Sequence, residues 1–291
     1  MCACLKPRAR AKLASRVVAA YPFTRGKYFL RQFAAKRFLL GRTDVGHWVR
    51  VSGVSGFEWK IFDGRYNEPR TIAAMKRLVR SGMTVFDVGA NVGYYSLLAA
   101  SLVGPSGHVH SFEPTPTVVR RLAENVALNQ FSSRVKINAV AVGSTCGKSD
   151  FHLSLDDSEA NSMFASDQHL QSVCVPIVTL DGYVRDHDVA RIDVMKVDIE
   201  GAELVALQGA SELLRRETAP LLIVEFNPAA LASSGAMPSQ LKGEIERFGY
   251  RCYRLEQLTE GSSAVYNILA IKPSHIPTIQ ENELENACEP L

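Results

Sequence analysis

The sequence predicts an α/β fold in which helices cover both faces of a mostly parallel sheet of seven strands, with one antiparallel strand at an edge. Short runs rich in Val, Ile and Phe alternate with longer helical patterns, which is typical of parallel sheets built from β-α-β units. The 291 residues are 46% apolar and 22% charged, the composition of a globular protein with a sizeable core. The last two strand-like runs are joined by a short turn, so they are expected to pair antiparallel.

The elements of this main domain, residues 81–291, follow from the same pattern. The strand-like runs are, in chain order, "TVFDVG", "HVHSFEP", "VKINAVAVG", "DVMKVDIEG", "LLIVEFNP", "YRCYRLEQ" and "AVYNILAIKP". Helical patterns between them include "PTVVRRLAENVALNQ", "AELVALQGASELLRR" and "PSQLKGEIERFG". The turn-forming "TEGSS" connects the final two runs and supports their antiparallel pairing.

A smaller unit, residues 47–80, is expected to lead into the main domain. "WVRVSG" and "FEWKIFDG" alternate apolar and polar residues around Gly53 and Gly56, which predicts a β-hairpin. "EPRTIAAMKRLVRSG" then predicts a helix, with Pro69 near its start and Gly82 just beyond its end.

Residues 1–46 form a basic extension. Residues 1–50 hold twelve Lys or Arg and one acid, so this end carries a charge of +11, whereas the rest of the chain carries −8. A solvated, partly helical extension is the simplest interpretation; contact with an anionic surface such as phosphate or lipid, or an organelle transit peptide, are the alternatives. No run of about 18 apolar residues occurs and the cysteines are mostly far apart, so a cytoplasmic chain with reduced thiols, at most peripheral at a membrane, is expected.

The segment "VFDVGANVGYYSLL", residues 85–98, predicts a strand that turns sharply into a helix. Gly89 and Gly93 would let a ligand approach the backbone, and the helix N-terminus offers free N–H groups. Glu113 ends the next strand, where an acid typically accepts both hydroxyls of a ribose. Because ligands of open α/β sheets lie beyond the carboxyl ends of the strands, the corner is predicted to hold a nucleoside.

The residues at this corner favour a cationic nucleoside over a dinucleotide. The GxGxxG pattern that places a helix N-terminus against a pyrophosphate is missing, and the acid Asp87 suits a positive charge better than a phosphate. S-adenosylmethionine carries an ammonium and a sulfonium group and no phosphate. The alternative is that Asp87 only hydrogen-bonds the loop or caps the helix, with the glycines serving packing.

Several motifs resemble the FkbM-type family of S-adenosylmethionine-dependent methyltransferases. They are "VFDVGANVGYYS", "SFEPTP", "AENVALN", "INAVAVGS", "VTLDGYV", "IDVMKVDIEGAELVALQGA" and "LLIVEF", which span roughly residues 66–230. The resemblance implies a Rossmann-like class I methyltransferase fold and methyl transfer, mostly to an oxygen of a sugar or small molecule. By position it implies cofactor contacts at Asp87, Gly89, Asn91, Gly93 and Glu113. Adenine would be held near Val140 and Ala141, because no acid ends the third strand.

The catalytic candidates lie in "DVMKVDIEGAE". Lys196 and Asp198 are two apart on a predicted strand and so share a face, and Glu200 follows the strand end. Ionic groups in an apolar central strand are costly unless they are paired or used. We expect Asp198 or Glu200 to act as a general base or to bind a divalent cation, with Lys196 keeping the pair charged. An ion pair that only fixes the loop is the alternative.

Weaker signals concern the acceptor. Glu225 ends "LLIVEF" at the carboxyl edge of the sheet, and Asn161 lies in the polar segment 155–164, so both are candidate substrate contacts. Asp181 opens a predicted helix, where an acid is most often an N-cap.

Two other functions are compatible with the sequence. The basic extension would suit a nucleic-acid methyltransferase, although the rest of the chain is acidic and "KVDIEG" differs from base-handling motifs. A non-catalytic module that binds S-adenosylmethionine is the second alternative, and it would be marked by decay of the corner or of "KVDIEG".

Overall fold

The computed structural model describes residues 39–51, 58, 60–61, 68–154, 163, 169–255, 265–278 and 289–290. The strands are β1 (Leu39–Arg42), β2 (Trp48–Val51), β3 (Thr84–Val88), β4 (His108–Phe112), β5 (Val135–Asn138), β6 (Ala141–Val142), β7 (Gly147–Ser154), β8 (His169–Val178), β9 (Val194–Val197), β10 (Leu221–Phe226), β11 (Arg251–Arg254), β12 (Tyr266–Ile271) and β13 (Glu289–Pro290). The helices are α1 (Pro69–Leu78), α2 (Tyr94–Leu102), α3 (Pro116–Leu128), α4 (Leu180–Asp186), α5 (Glu203–Gln208), α6 (Ser211–Arg215), α7 (Pro228–Ser233) and α8 (Pro238–Arg247), and a 3-10 helix covers Pro273–Thr278. Within these ranges, no helix has the length and apolar character needed to cross a membrane.

The central sheet contains all seven predicted strands in the order β11-β12-β10-β9-β3-β4-β5, with the two-residue β13 added beside β11. The five strands from β10 to β5 are parallel, and β12 runs antiparallel to both of its neighbours. The reversed strand was expected at the edge, but it lies one place inside it. Burial explains the difference, because four residues of β12 are at most 2% exposed whereas β11 begins with an exposed arginine. The more apolar run therefore takes the covered position.

Helices cover both faces of this sheet, as predicted. The first apolar cluster packs α1, α2 and α3 against one face, and Val85 and Ile223 point into it. The second cluster packs α4 to α8 against the other face and includes Phe86 and Leu222. Successive strand residues thus enter opposite clusters, as the two-residue period of a strand requires. Both faces are closed, which leaves the strand ends as the places where a ligand can reach the sheet.

A second, three-stranded sheet, in the order β6-β8-β7, was not predicted as such. The run 135–143 was expected to be one strand, but it divides into β5, in the central sheet, and β6, which pairs parallel with β8. The strands β7 and β8 pair antiparallel. Few of their residues are buried, and the apolar cluster of this sheet centres on Ala141, Phe151 and Val175. This sparse apolar pattern is why periodicity did not reveal the sheet.

The hairpin of the lead-in unit forms from different strands than predicted. β2 pairs with β1, which precedes it, and the register runs from Leu39 opposite Val51 to Arg42 opposite Trp48. Residues 58, 60 and 61, expected in the second strand, are helical. On β2, the amide of Trp48 donates to Asn129 Oδ1 at 2.9 Å and that of Arg50 donates to Asn125 Oδ1 at 2.7 Å. Asn125 lies in α3 and Asn129 is the C-terminal cap of that helix. Their side chains accept from the backbone N–H groups of β2 that a strand on this edge would otherwise have to pair with. Residues 1–38 of the basic extension lie outside the described residues.

Candidate active site

A cavity lies at the carboxyl edge of the central sheet, where β3, β4, β9 and β10 end. The predicted site residues that line it are Asp87, Gly89, Asn91, Glu113, Val140, Ala141, Lys196, Asp198, Glu200 and Glu225. Gly93 does not line it, and Asn161 lies outside the described residues. The cavity therefore brings the predicted nucleoside contacts and the catalytic candidates together.

The corner between β3 and α2 depends on its glycines for packing. Gly89 has a φ of +90°, and a Cβ at this position would lie 1.7 Å from the carbonyl oxygen of Asp198. Gly93 has a φ of +99°, and a Cβ there would lie 2.6 Å from Leu122. Neither position tolerates a side chain in this backbone. The structure thus supplies a packing reason for both glycines, and Gly89 also borders the cavity.

Glu113, at the end of β4, holds the corner in place. Its Oε2 accepts a hydrogen bond from the backbone N–H of Asn91 at 3.1 Å, and its Oε1 accepts one from the N–H of Thr115 at 2.9 Å. Burial raises the pKa of Glu113 to about 7, although these donors act against the rise. Near neutral pH the carboxyl group is therefore divided between its protonated form and the ionised form that accepts hydrogen bonds best.

Asp87, at the end of β3, is 2% exposed. Its Oδ2 accepts a hydrogen bond from Ser96 Oγ at 2.5 Å, and Ser96 lies 2.7 Å from Ser111 Oγ, so three side chains form a buried chain. Its Oδ1 is buried without a hydrogen-bond partner among the described residues. Burial raises the pKa of Asp87, and nearby Lys196 opposes the rise. A buried oxygen without a donor at a cavity wall is the expected feature of a ligand contact.

One wall of the cavity is apolar. It combines Val140, in the loop after β5, and Ala141 and Val142 of β6 with Phe151 of β7 and with Met163, which lies between β7 and β8 in the chain. Phe151 is 8% exposed and packs in the apolar cluster of that sheet. Sequence reasoning identified the first two residues and missed the last two, which come close only through the unpredicted strands.

Lys196 and Asp198 form an ion pair in the cavity. Lys196 Nζ donates to Asp198 Oδ2 at 2.6 Å and lies 4.5 Å from the centre of the Tyr95 ring. The lysine side chain is 2% exposed and the aspartate side chain 23%. Burial alone would lower the pKa of Lys196, but the carboxylates of Asp198, Asp87 and Glu68 outweigh it and the pKa is raised. The lysine therefore stays charged and keeps Asp198 oriented.

Asp198 is one of three carboxyl groups that meet at the strand ends. One oxygen of each of Asp198, Glu200 and Glu225 lies within 4.8 Å of the others. Glu200 has a φ of +53°, and its Oε2 accepts a hydrogen bond from Asn227 Nδ2 at 3.3 Å. Burial, together with these neighbouring carboxylates, raises the pKa of Glu225 well above its usual range. Lys196 contacts one member of this cluster, Asp198.

Glu203 fixes the loop that carries this cluster. It is fully buried, and its carboxyl group accepts hydrogen bonds from the backbone N–H groups of Ile199 at 2.9 Å and Gly201 at 3.0 Å. Burial raises the pKa of Glu203 to about 7. It does not line the cavity, so its contribution is to the shape of the loop.

Residues that precede the main domain make contacts at the site that the sequence did not reveal. Glu68 lines the cavity, and its Oε2 accepts hydrogen bonds from the Tyr95 hydroxyl and, at 3.3 Å, from Asn267 Nδ2. The Tyr94 hydroxyl donates to Asp44 Oδ1 at 2.5 Å. In the sequence, the two adjacent tyrosines at the start of α2 were the feature that could have indicated these contacts. Their acidic partners, however, are 27 and 50 residues away in the chain.

Asp181 does not line the cavity, and its hydrogen bonds are to the backbone of a neighbouring helix. Thr179, not Asp181, caps α4 by accepting from the N–H of Gly182 at 3.0 Å. Asp181 instead accepts hydrogen bonds from the N–H groups of Glu212 and Leu213, each at 2.8 Å, at the start of α6. It therefore caps a neighbouring helix.

Comparison with known proteins adds independent information. The family model of the methyltransferase FkbM domain matches residues 87–252. Hexuronic acid methyltransferase AglP of Haloferax volcanii is 26% identical over 173 residues, which cover 58% of this chain and 66% of that protein. The 31-O-demethyl-FK506 methyltransferase FkbM of Streptomyces tacrolimicus is 26% identical over 164 residues, covering 46% and 62%. The chain thus spans less than two thirds of the length of these two relatives.

Solved structures of methyltransferases also resemble the chain. An rRNA methylase from Streptococcus thermophilus is 12% identical and covers 71% of this chain and 98% of its own, with a TM-score of 0.45.

The family match includes every strand-end residue of the cavity from Asp87 to Glu225, and more than half of the chain. The order of the seven predicted strands, of which β12 alone is reversed, agrees with the predicted class I methyltransferase fold. The chain belongs to the FkbM family of methyltransferases.

Proposed function

We propose that the chain transfers the methyl group of S-adenosylmethionine to a hydroxyl oxygen of a sugar or another small molecule. The observation that carries the proposal is that one cavity brings two sets of groups together, which we assign to a cofactor half and an acceptor half. One half has Asp87, Glu113 and an apolar wall, and the other has the charged pair of Lys196 and Asp198. Family membership supports methyl transfer, and the relatives named as acting on hexuronic acid and 31-O-demethyl-FK506 support a sugar or small-molecule acceptor.

The first half of the cavity fits the cofactor by its donor and acceptor groups. Asp87 Oδ1, which has no partner among the described residues, can accept from the ammonium group of the methionine end. The Glu113 carboxyl group can accept from ribose hydroxyls while it still holds the backbone of Asn91. Val140 and Phe151 offer an apolar surface for the adenine ring. When bound, S-adenosylmethionine supplies a methyl group on a positively charged sulfur.

The second half of the cavity suits deprotonation of a hydroxyl. A hydroxyl nucleophile must lose its proton during transfer, so a base is needed near the reacting oxygen. Asp198 or Glu200 is positioned for this role, because Lys196 Nζ donates to one oxygen of Asp198 and the Asn227 amide group donates to Glu200. Glu225 at the same edge is a candidate contact to the acceptor. The remaining task of the protein is to align the acceptor oxygen with the methyl group and to exclude water.

Residues outside the family match have a separate proposed role. The boundaries 1–46, 47–80 and 81–291 remain our division of the chain, and the basic extension is proposed to contact an anionic surface. The lead-in unit is proposed to form part of the cavity wall. Glu68 supports this role, because it lines the cavity and accepts a hydrogen bond from the Tyr95 hydroxyl.

Calorimetric titration with S-adenosylhomocysteine, the demethylated cofactor, tests the first half of the proposal. Micromolar binding to the full chain is expected, with loss of binding in Glu113→Ala and no binding of NAD. The exposed Glu246→Gln variant is the matched control and should bind normally. A folded wild-type protein that does not bind S-adenosylhomocysteine would contradict the proposal.

Transfer of a labelled methyl group to panels of sugars, hydroxylated small molecules and RNA tests the second half. Asp198→Asn should abolish transfer to a hydroxyl acceptor and leave the affinity for S-adenosylhomocysteine intact. Transfer at the wild-type rate by this variant would exclude Asp198, and transfer to RNA alone would establish the nucleic-acid alternative.

A further inference from the structure

The carboxyl groups of Asp198, Glu200 and Glu225 form an oxygen-rich cluster at one end of the cavity. They come from two adjacent parallel strands, two from the loop after β9 and one from the end of β10, and one oxygen of each lies within 4.8 Å of the others. Lys196 Nζ contacts Asp198 on its Oδ2 atom. Like charges this close repel one another unless a cation or a proton intervenes.

Glu225 provides a second, independent observation. Its Oε2 has no access to solvent, and the described residues offer that atom no hydrogen-bond donor. Glu225 also borders the cavity. A buried acceptor without a donor is costly, and such an atom in a native protein calls for a ligand or an ion that completes it.

Neighbouring side chains hold two members of the cluster, Asp198 and Glu200. Lys196 holds one oxygen of Asp198, and the Asn227 amide group donates to Glu200 Oε2 at 3.3 Å. Asn227 is itself fixed, because its Oδ1 accepts from the N–H of Ala230 at 3.2 Å and caps α7. Partners of this kind fix the orientation of ligand side chains in metal sites.

We propose that a divalent cation that prefers oxygen ligands, Mg²⁺ or Mn²⁺, binds between Asp198, Glu200 and Glu225 and holds the hydroxyl group of the acceptor. Three carboxylate oxygens without nitrogen or sulfur are the ligand set of such hard cations, which keep further positions for water or substrate. The cation offers Glu225 Oε2 a partner and brings an acceptor oxygen next to the methyl donor half of the cavity. The role of the cation in methyl transfer rests on the proposed function, whereas its binding does not.

Electron paramagnetic resonance of Mn²⁺ tests this site, because free and bound Mn²⁺ give different signals. The full-length protein, stripped of metal with a chelator, is expected to bind one Mn²⁺, and Mg²⁺ should displace it. Glu225→Gln and Asp198→Asn should each weaken binding at least tenfold. Glu212→Gln, an exposed acid on α6 outside the cavity, is the matched control and should bind as the wild type does.

The results separate this inference from the proposed function. Circular dichroism of each variant identifies those that fail to fold, and the partly exposed Glu200→Gln provides a further test if Glu225→Gln is one of them. The inference is overturned if the folded wild-type protein binds no Mn²⁺, which would indicate a shared proton in the cluster, or if folded cluster variants bind it unchanged. S-adenosylhomocysteine binding without Mn²⁺ binding removes only the cation site, and the reverse result removes only the proposed cofactor.

Discussion

Replacing Glu113 by Gln removes a single proton-binding group at the centre of the cofactor half. Burial raises the pKa of Glu113 from 4.5 to about 7, so the folded protein keeps a proton that the unfolded chain releases between these pH values. A carboxyl group whose pKa is raised by folding makes the protein less stable as the pH rises through that window. The corresponding loss in the free energy of unfolding is about 2.5 kcal/mol between pH 5 and pH 8.

Gln cannot ionise, so the Glu113→Gln variant should lack this loss. At any pH it gives up one of the two hydrogen bonds from the N–H groups of Asn91 and Thr115, at a cost of about 1–3 kcal/mol. The difference in unfolding free energy, variant minus wild type, should therefore become more favourable by about 2.5 kcal/mol from pH 5 to pH 8. The pKa of Glu203 is also raised to about 7, but Glu203 is present in both proteins. Its contribution to the pH dependence of stability therefore cancels in the difference.

Urea denaturation at pH 5 and pH 8 measures this difference, with Glu246→Gln as the control for a lost exposed charge. Titration with S-adenosylhomocysteine gives a second readout. Because the ionised carboxylate is proposed to accept the ribose hydroxyls, wild-type affinity should fall by up to about 100-fold from pH 8 to pH 5, and the variant should bind weakly at both values. Parallel pH dependence of stability in wild type and Glu113→Gln would refute the assigned pKa and its cause.

Four further predictions concern the packing and the charges around the site. Gly89→Ala, which would place a Cβ 1.7 Å from a backbone oxygen, should prevent folding or cost more than about 3 kcal/mol, whereas Gly235→Ala, at a φ of +75° with no atom within 4 Å, should cost about 1 kcal/mol in urea denaturation. Phe151→Ala should weaken S-adenosylhomocysteine binding about tenfold by calorimetry and Phe151→Leu less, since the apolar wall loses less area. Lys196→Met should lower stability by about 3 kcal/mol because it leaves Asp198 without its cation, and an unchanged urea midpoint would contradict the ion pair. Asn125→Ala removes bonds to Arg50 N–H and to the carbonyl of Val92, so a cost of about 2–4 kcal/mol is expected, and a cost below 1 kcal/mol would show that α3 does not hold the hairpin.

The sequence predicted the parts of the molecule that follow from local periodicity. The seven strands of the central sheet and the corner at Gly89 were identified because alternating apolar runs and helical patterns are regular there. Lys196 was identified as an anomaly, an ionic residue in an apolar strand, and it is indeed buried and paired. These features are properties of short segments, which a single sequence displays directly.

Features that depend on distant contacts were not predictable in the same way. The pairing of β2 with β1 is favoured by amide side chains 75 and 81 residues away, which no local pattern indicates. Glu68 lines the cavity because α1 and α2 bring it to Tyr95, and Phe151 lines it because β7 and β8 form a second sheet. In each case tertiary packing decides between options that the local sequence left open.

Four buried acid groups near the carboxyl edge of the sheet have raised pKa values. Burial raises the pKa of Asp87, Glu113, Glu203 and Glu225, so near neutral pH each of these groups favours the folded state less than an exposed carboxylate would. Such groups are expected where function requires them, because natural sequences otherwise remove them. Ligands that bind these groups as carboxylates should therefore stabilise the protein more at pH 8 than at pH 5. Thermal unfolding with S-adenosylhomocysteine and with Mn²⁺, separately and together, measures which half of the cavity accounts for that stabilisation.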